Sequence, residues 1–160
     1  MKPLITLTSV VLTTFLLIGC SPQRENISNL DERFELFLEN GTPIMVEGKP
    51  FSGILFQEHS NGRIKLELHL KNGIPNGPFE SYHENGQLLW KGTYKDGVKD
   101  GSFETYYENG QLREKGTYKD GKKDGRWEIY WEDGTLYTYK SGFYKNGVKV
   151  FDLLQFIMDQ

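Results

Sequence analysis

Apolar and polar residues alternate along most of this chain in short runs, and the runs are broken at regular intervals by Gly paired with Asn or Asp. Between Gly77 and Asp124 the pattern is written twice, as GPFESYHENGQLLWKGTYKDGVKD and then GSFETYYENGQLREKGTYKDGKKD, a period of 24 residues without a gap. Alternation with period two predicts strands with one packed face. Self-similarity at a fixed period predicts one supersecondary unit stacked on its neighbours. The expected fold is therefore all-β, an elongated antiparallel β-meander of 24-residue hairpin repeats.

The turns suggest a register. Asn-Gly is a strong hairpin signal, because a two-residue type I′ turn needs positive φ at both central positions. A turn centred on Asn109-Gly110 sets Tyr107 opposite Leu112, Tyr106 opposite Arg113, Glu104 opposite Lys115 and Phe103 opposite Gly116. The same step about Asn85-Gly86 sets His83 opposite Leu88, Glu80 opposite Lys91 and Phe79 opposite Gly92. One face then carries Phe79, His83, Leu88, Trp90, Tyr94, Phe103, Thr105, Tyr107 and Tyr118, the candidate packed side. The other carries Glu104, Tyr106, Arg113, Lys115 and Thr117, a solvated strip in which Glu80, Lys91, Glu104 and Lys115 interleave charge.

Weaker copies flank the two clear repeats. Asn61-Gly62 stands one period before Asn85-Gly86, and Leu55, His59, Ile64, Leu66, Leu68 and Leu70 form its apolar face. A further unit starts at Gly125-Arg126-Trp127-Glu128 and gains two residues after Leu136, which predicts a bulge or looser hairpin. Repeats thus occupy 48–150. Residues 31–47 form an N-terminal capping segment, read as a short strand from the alternation of Phe34, Leu36 and Leu38. The apolar residues of 151–160, from Phe151 to Met158, are read as a closing cap.

Charge and composition narrow the function classes. The net charge of the 160 residues is −3 with no basic run, which argues against a nucleic-acid partner. The three histidines, His59, His69 and His83, sit in different repeats without metal-ligand spacing, so no metal and no cofactor is expected. Glu80, Glu104 and Glu128 form a row already matched by lysines, and no Ser or Thr has nucleophile-elbow context. The expectation is a non-catalytic protein. The exposed strip of Tyr82, Tyr106 and Tyr130 with Arg113 is the candidate binding surface, since Tyr and Arg are enriched at protein contacts.

Residues 1–19 read as a targeting segment: Lys2, then an apolar run from Leu4 to Ile18 shorter than a spanning helix. The stretch Leu17-Ile18-Gly19-Cys20 resembles the lipobox of bacterial lipoproteins. That resemblance implies cleavage before Cys20, the only cysteine, and its acylation, with residues 20–30 as lipidated Cys and tether. The implied location is the cell envelope, with membrane attachment through Cys20; Ser21 after the cysteine favours the outer membrane in an enteric-type bacterium.

The unit Gly-x-Phe/Trp-Glu-x-Tyr-x-Glu-Asn/Asp-Gly-x-Leu, followed by Lys-Gly-x-Tyr-Lys-Asp-Gly, resembles the MORN repeat, closest to its bacterial second variant, over about residues 48–149. The resemblance implies an extended antiparallel meander and a role in protein interaction, sometimes with lipid contact. Bacterial proteins of this kind are often lipoproteins, and many carry the label of a toxin–antitoxin antitoxin. That label fits poorly with a lipobox, which removes the protein from the compartment of most toxins. A protein partner is the first expectation, and an antitoxin role or an envelope glycan or lipid ligand is the alternative.

Overall fold

The computed structural model describes residues 22–152; the leader, Cys20 and residues 153–160 lie outside them. In chain order the elements are β1 (Arg24–Asn26), α1 (Leu30–Asn40), β2 (Met45–Val46), β3 (Lys49–Pro50), β4 (Gly53–Glu58), β5 (Ile64–Lys71), β6 (Ile74–Tyr82), β7 (Leu88–Lys95), β8 (Val98–Tyr106), β9 (Leu112–Lys119), β10 (Lys122–Ile129), β11 (Gly142–Lys145) and β12 (Val148–Asp152). Strands β4 to β12 lie side by side in sequence order, and β1 adds to the β4 edge, giving ten strands in one sheet. The expected antiparallel meander is the observed fold, and only the β1–β4 pair is parallel.

Each hairpin alternates two kinds of turn. At one end Asp96-Gly97 and Asp120-Gly121 have positive φ at both residues, and Lys95 pairs with Val98 and Lys119 with Lys122. These are the two-residue turns expected of type I′ geometry. At the other end the expectation fails. Of Asn109-Gly110 only the glycine has positive φ (82°), and Tyr107 N–H donates to Gln111 O at 2.9 Å while Gly110 N–H donates to Tyr107 O at 2.9 Å. The loop therefore holds three residues and ends in a glycine bulge. Phe103 still pairs with Gly116 and Glu104 with Lys115, but between a second bulge at Arg113 and the tip Tyr106, not Tyr107, faces Leu112. Likewise Tyr82, not His83, faces Leu88.

The asparagines of these tips explain the geometry and bind successive repeats. Asn85 Oδ1 accepts from Gln87 N–H at 2.8 Å, closing its own loop, while Nδ2 donates to Glu108 O of the next tip at 2.8 Å. Asn61 and Asn109 do the same, reaching Glu84 O and Glu132 O at 2.8 and 3.3 Å. At the opposite end the turn glycines donate the other way, from Gly97 to Pro75 O, from Gly121 to Lys99 O and from Gly147 to Lys123 O, at 2.8–2.9 Å.

The segment read as a strand at 34–39 is a helix. Leu30 and Phe34 are buried and Phe37 packs beside them, a spacing of about one helical turn, whereas Leu36 and Leu38 are 49% and 54% exposed. Asp31 and Glu32 suit its first turn, and Gly41 ends it in the left-handed conformation, donating to Phe37 O at 2.8 Å. Within the presumed tether, Arg24–Asn26 forms β1, which runs beside β4.

The core lies where α1 meets the first strands: Leu30, Phe34, Ile44, Phe51, Leu55, Leu66, Leu68, Leu70, Phe79 and Tyr94. Farther along, burial depends on rings lying over glycines. Trp127 is fully buried on the backbone of Gly116, where a Cβ would overlap its indole, and its Nε1–H donates to Thr117 O at 3.1 Å. A Cβ at the equivalent Gly92 would lie 3.2 Å from Phe103 Cδ2, a tight contact only. The two inserted residues near the C-terminal end form a tight turn, in which Ser141 Oγ accepts from Ile129 N–H at 2.9 Å and so completes the strand end.

Two stability results follow. Gly116→Ala is expected to cost about 1–3 kcal/mol by forcing the indole off the strand, and Gly92→Ala clearly less; urea midpoints in the same buffer rank them. Asn85→Asp keeps the acceptor that closes its loop and loses only the donor to Glu108, an expected cost of about 1 kcal/mol that Asp133→Asn at the last tip does not mirror.

Candidate functional site

The two faces of the sheet are built by different chemistry. On the polar face, Glu80, Lys91, Glu104, Lys115 and Glu128 stand in one line across five strands. The row is the one expected, but its bonds differ. Lys91 Nζ lies 3.0 Å from Glu104, and Lys115 Nζ lies 2.6 Å from Glu128. Each lysine thus bonds the next hairpin rather than the glutamate of its own. Arg126 also pairs with Glu128.

Tyr82, Tyr106 and Tyr130 belong to this row. Their hydroxyls donate to Glu80, Glu104 and Glu128 two residues earlier on the same strands. Burial first, then the Glu80 carboxylate, pushes the Tyr82 hydroxyl up to about 12. Tyr106 and Tyr130 move the same way for the same reasons. Arg113 does not join them. It is the extra residue of the bulge between Thr105 and Tyr106, and it lines a hollow on the opposite face with Trp90, Lys99, Phe103, Glu114 and Tyr118.

On that aromatic face the same positions recur with the repeat. Leu66, Phe79 and Tyr94 form a first box; Trp90, Phe103 and Tyr118 a second; Glu114, Trp127 and Tyr144 a third, the last shifted by the two inserted residues. The fillings differ. Phe34 of α1 stacks on Phe79 at 5.1 Å and meets Tyr94 edge-on at 5.7 Å. In the second box the ammonium of Lys99 lies 5.3, 4.8 and 5.2 Å from the centres of Trp90, Phe103 and Tyr118. Burial pushes its pKa down, against the pull of Glu114. In the third, Lys123 lies 3.9 Å from Trp127 and 3.0 Å from Glu114. Position 75, one period before Lys99, is a buried proline, and this leaves room for the helix.

His59 and His83, expected on the packed face, have a more specific use. Their Nε2 atoms lie 2.9 and 3.3 Å from the carbonyls of Tyr82 and Tyr106, and Tyr107 at the next equivalent position donates to Tyr130 O at 2.8 Å. Rings with a donor at the far edge therefore couple consecutive repeats. Among the described residues no three His, Cys, Asp or Glu side chains are grouped as metal ligands would be.

A cavity of about 540 Å³ opens between α1 and the sheet, and the sequence reading missed it. Its floor is Phe34, Leu66, Phe79 and Trp90, and Glu35, Glu84 and Glu108 stand around it. The hairpins supply floor and tips, but the helix closes one side; without the helix no signal in the repeats points to a groove.

The MORN repeat variant family matches residues 75–96 and 99–120, two windows one 24-residue period apart. No curated protein matches the chain. These two windows run from β6 to β9, which carry the polar row from Glu80 to Lys115 and the second aromatic box.

The polar row carries a pH dependence. Tyr106, then Lys91, holds Glu104 below the usual carboxylate range against the opposing effect of burial. For Glu128 burial raises the pKa, but Lys115, Tyr130 and Arg126 together outweigh it and the net shift is down. A carboxylate depressed on folding contributes stability above the unfolded value, about 4.3, and loses it as pH falls through the folded value. Glu104→Gln and Glu128→Gln should therefore destabilise at neutral pH, and the gap from the parent chain should narrow below about pH 4. Urea midpoints across that range check this; a constant gap refutes it.

Proposed function

We propose that this chain is a non-catalytic envelope protein, anchored through an acylated Cys20, whose MORN-like sheet presents a surface for protein–protein recognition. The observation that carries the reading is the ten-stranded sheet, in which equivalent side chains recur on alternate strands from β6 to β10. Repeat arrays of this form offer long faces that a partner chain can follow.

The partner-facing part is the aromatic side at the junction of α1 with the sheet. The hydroxyls of Tyr82, Tyr106 and Tyr130 already have acceptors within their own strands, so this row offers a partner ring edges and lysine stems. The groove beside α1 instead offers apolar area framed by charge, which is the usual composition of a recognition pocket.

Crosslinking in cells, read by mass spectrometry, tests the proposal by comparing the native chain with Cys20→Ala. The expected result is one envelope protein trapped by the native chain and lost with the variant. A cytosolic toxin trapped equally by both forms would overturn it in favour of an antitoxin role.

A further inference from the structure

We infer that the groove between α1 and the sheet receives a basic side chain, lysine in the first instance, from a peptide segment of the partner; this rests on the protein-recognition reading above. Three observations converge on it. The first is charge. Glu35, Glu84 and Glu108 line the groove, and none has an ion-pair partner among the described residues. Lys65, the basic residue lining it, is already bonded to Asp31 at 2.5 Å.

The second is the apolar floor of Phe34, Leu66, Phe79 and Trp90 beside those carboxylates. A peptide brings apolar neighbours to cover that floor as well as an ammonium, whereas a free amine brings little beyond the latter.

The third is a precedent within the chain. One period along, Thr105 stands in the place of Ser81, and the equivalent hollow contains the chain's own Lys99 over three rings. The next box contains Lys123. In the first repeat the lysine position is Pro75, so the groove has the ring of Trp90 and surrounding carboxylates, while the ammonium of Lys65 beside it is held by Asp31. A lysine stem lies well on Phe34, Leu66 and Trp90 while its head reaches the carboxylates, since such side chains bury their methylenes and keep the charge at a polar rim.

The test uses the full acylated chain in detergent and calorimetric titration with an acetylated, amidated pentapeptide, Ala-Leu-Lys-Phe-Ala. Its norleucine counterpart and n-butylammonium serve as comparisons. The lysine peptide should bind about tenfold more tightly than the norleucine peptide at low salt, and the advantage should fade as NaCl is added. The surface variant Glu35→Gln/Glu84→Gln should abolish that advantage. Equal binding of both peptides, binding of neither up to millimolar concentration, or n-butylammonium matching the lysine peptide would each overturn the inference. If the double variant still crosslinks the same envelope protein in cells as the native chain, the groove assignment fails while the recognition reading stands.

Discussion

Each inner hairpin of this sheet must meet two neighbours in the same register, and that constraint governs the rest. A sheet in sequence order is propagated by backbone pairing alone, yet a slip of one residue would turn every side chain to the other face. The chain prevents slippage at both ends of each hairpin. Asparagine side chains at one end donate forward to the next tip, and turn glycines at the other donate backward to the preceding repeat. Between them, lysine ammoniums on the polar face bond the hairpin that follows. Each of these bonds spans a repeat boundary, so none is complete in an isolated hairpin.

With the register fixed, the aromatic face becomes a row of similar boxes, each needing something to cover its rings. Where a helix is at hand, Phe34 covers them; farther along, Lys99 and Lys123 do, with partly desolvated ammoniums over the ring faces. The change of filling explains why the apolar core is concentrated near α1, although the repeats themselves are nearly identical. It also explains why the groove occurs beside the helix. A rigid helix covers a box without filling the hollow next to it, whereas a lysine from the sheet reaches into that hollow.

Much of this was legible in the sequence because the repeat states it more than once. The period, the strand faces and the pairs Phe103–Gly116 and Glu104–Lys115 follow from alternation and turn residues. The errors fall where one residue could satisfy two patterns. Asn109-Gly110 suits a two-residue turn as well as a three-residue loop, and the latter is closed by Gln111 N–H donating to Asn109 Oδ1, a bond that the Asp133 tip repeats with Thr135. Phe34, Leu36 and Leu38 alternate like a strand, while Leu30, Phe34 and Phe37 repeat like a helix, and packing against Phe79 decided for the latter. The strand Arg24–Asn26 pairs through its backbone, so its polar side chains carried no signal. Of the candidate site, the tyrosine row was legible, but the move of Arg113 to the other face depends on the bulge.

The fourth tip has Asp133 where the earlier three have asparagine. Its carboxylate closes its own loop by accepting from Thr135 N–H at 2.8 Å, but it has no proton to pass to a further tip. The array therefore has a direction and a terminus specified by one side-chain amide. Lengthening by gene duplication is compatible with copies inserted upstream, where each new asparagine finds a carbonyl ahead of it. A copy appended beyond Asp133 would meet a neighbour unable to donate. Descendants of this chain can thus differ in the number of middle repeats while keeping the same two ends.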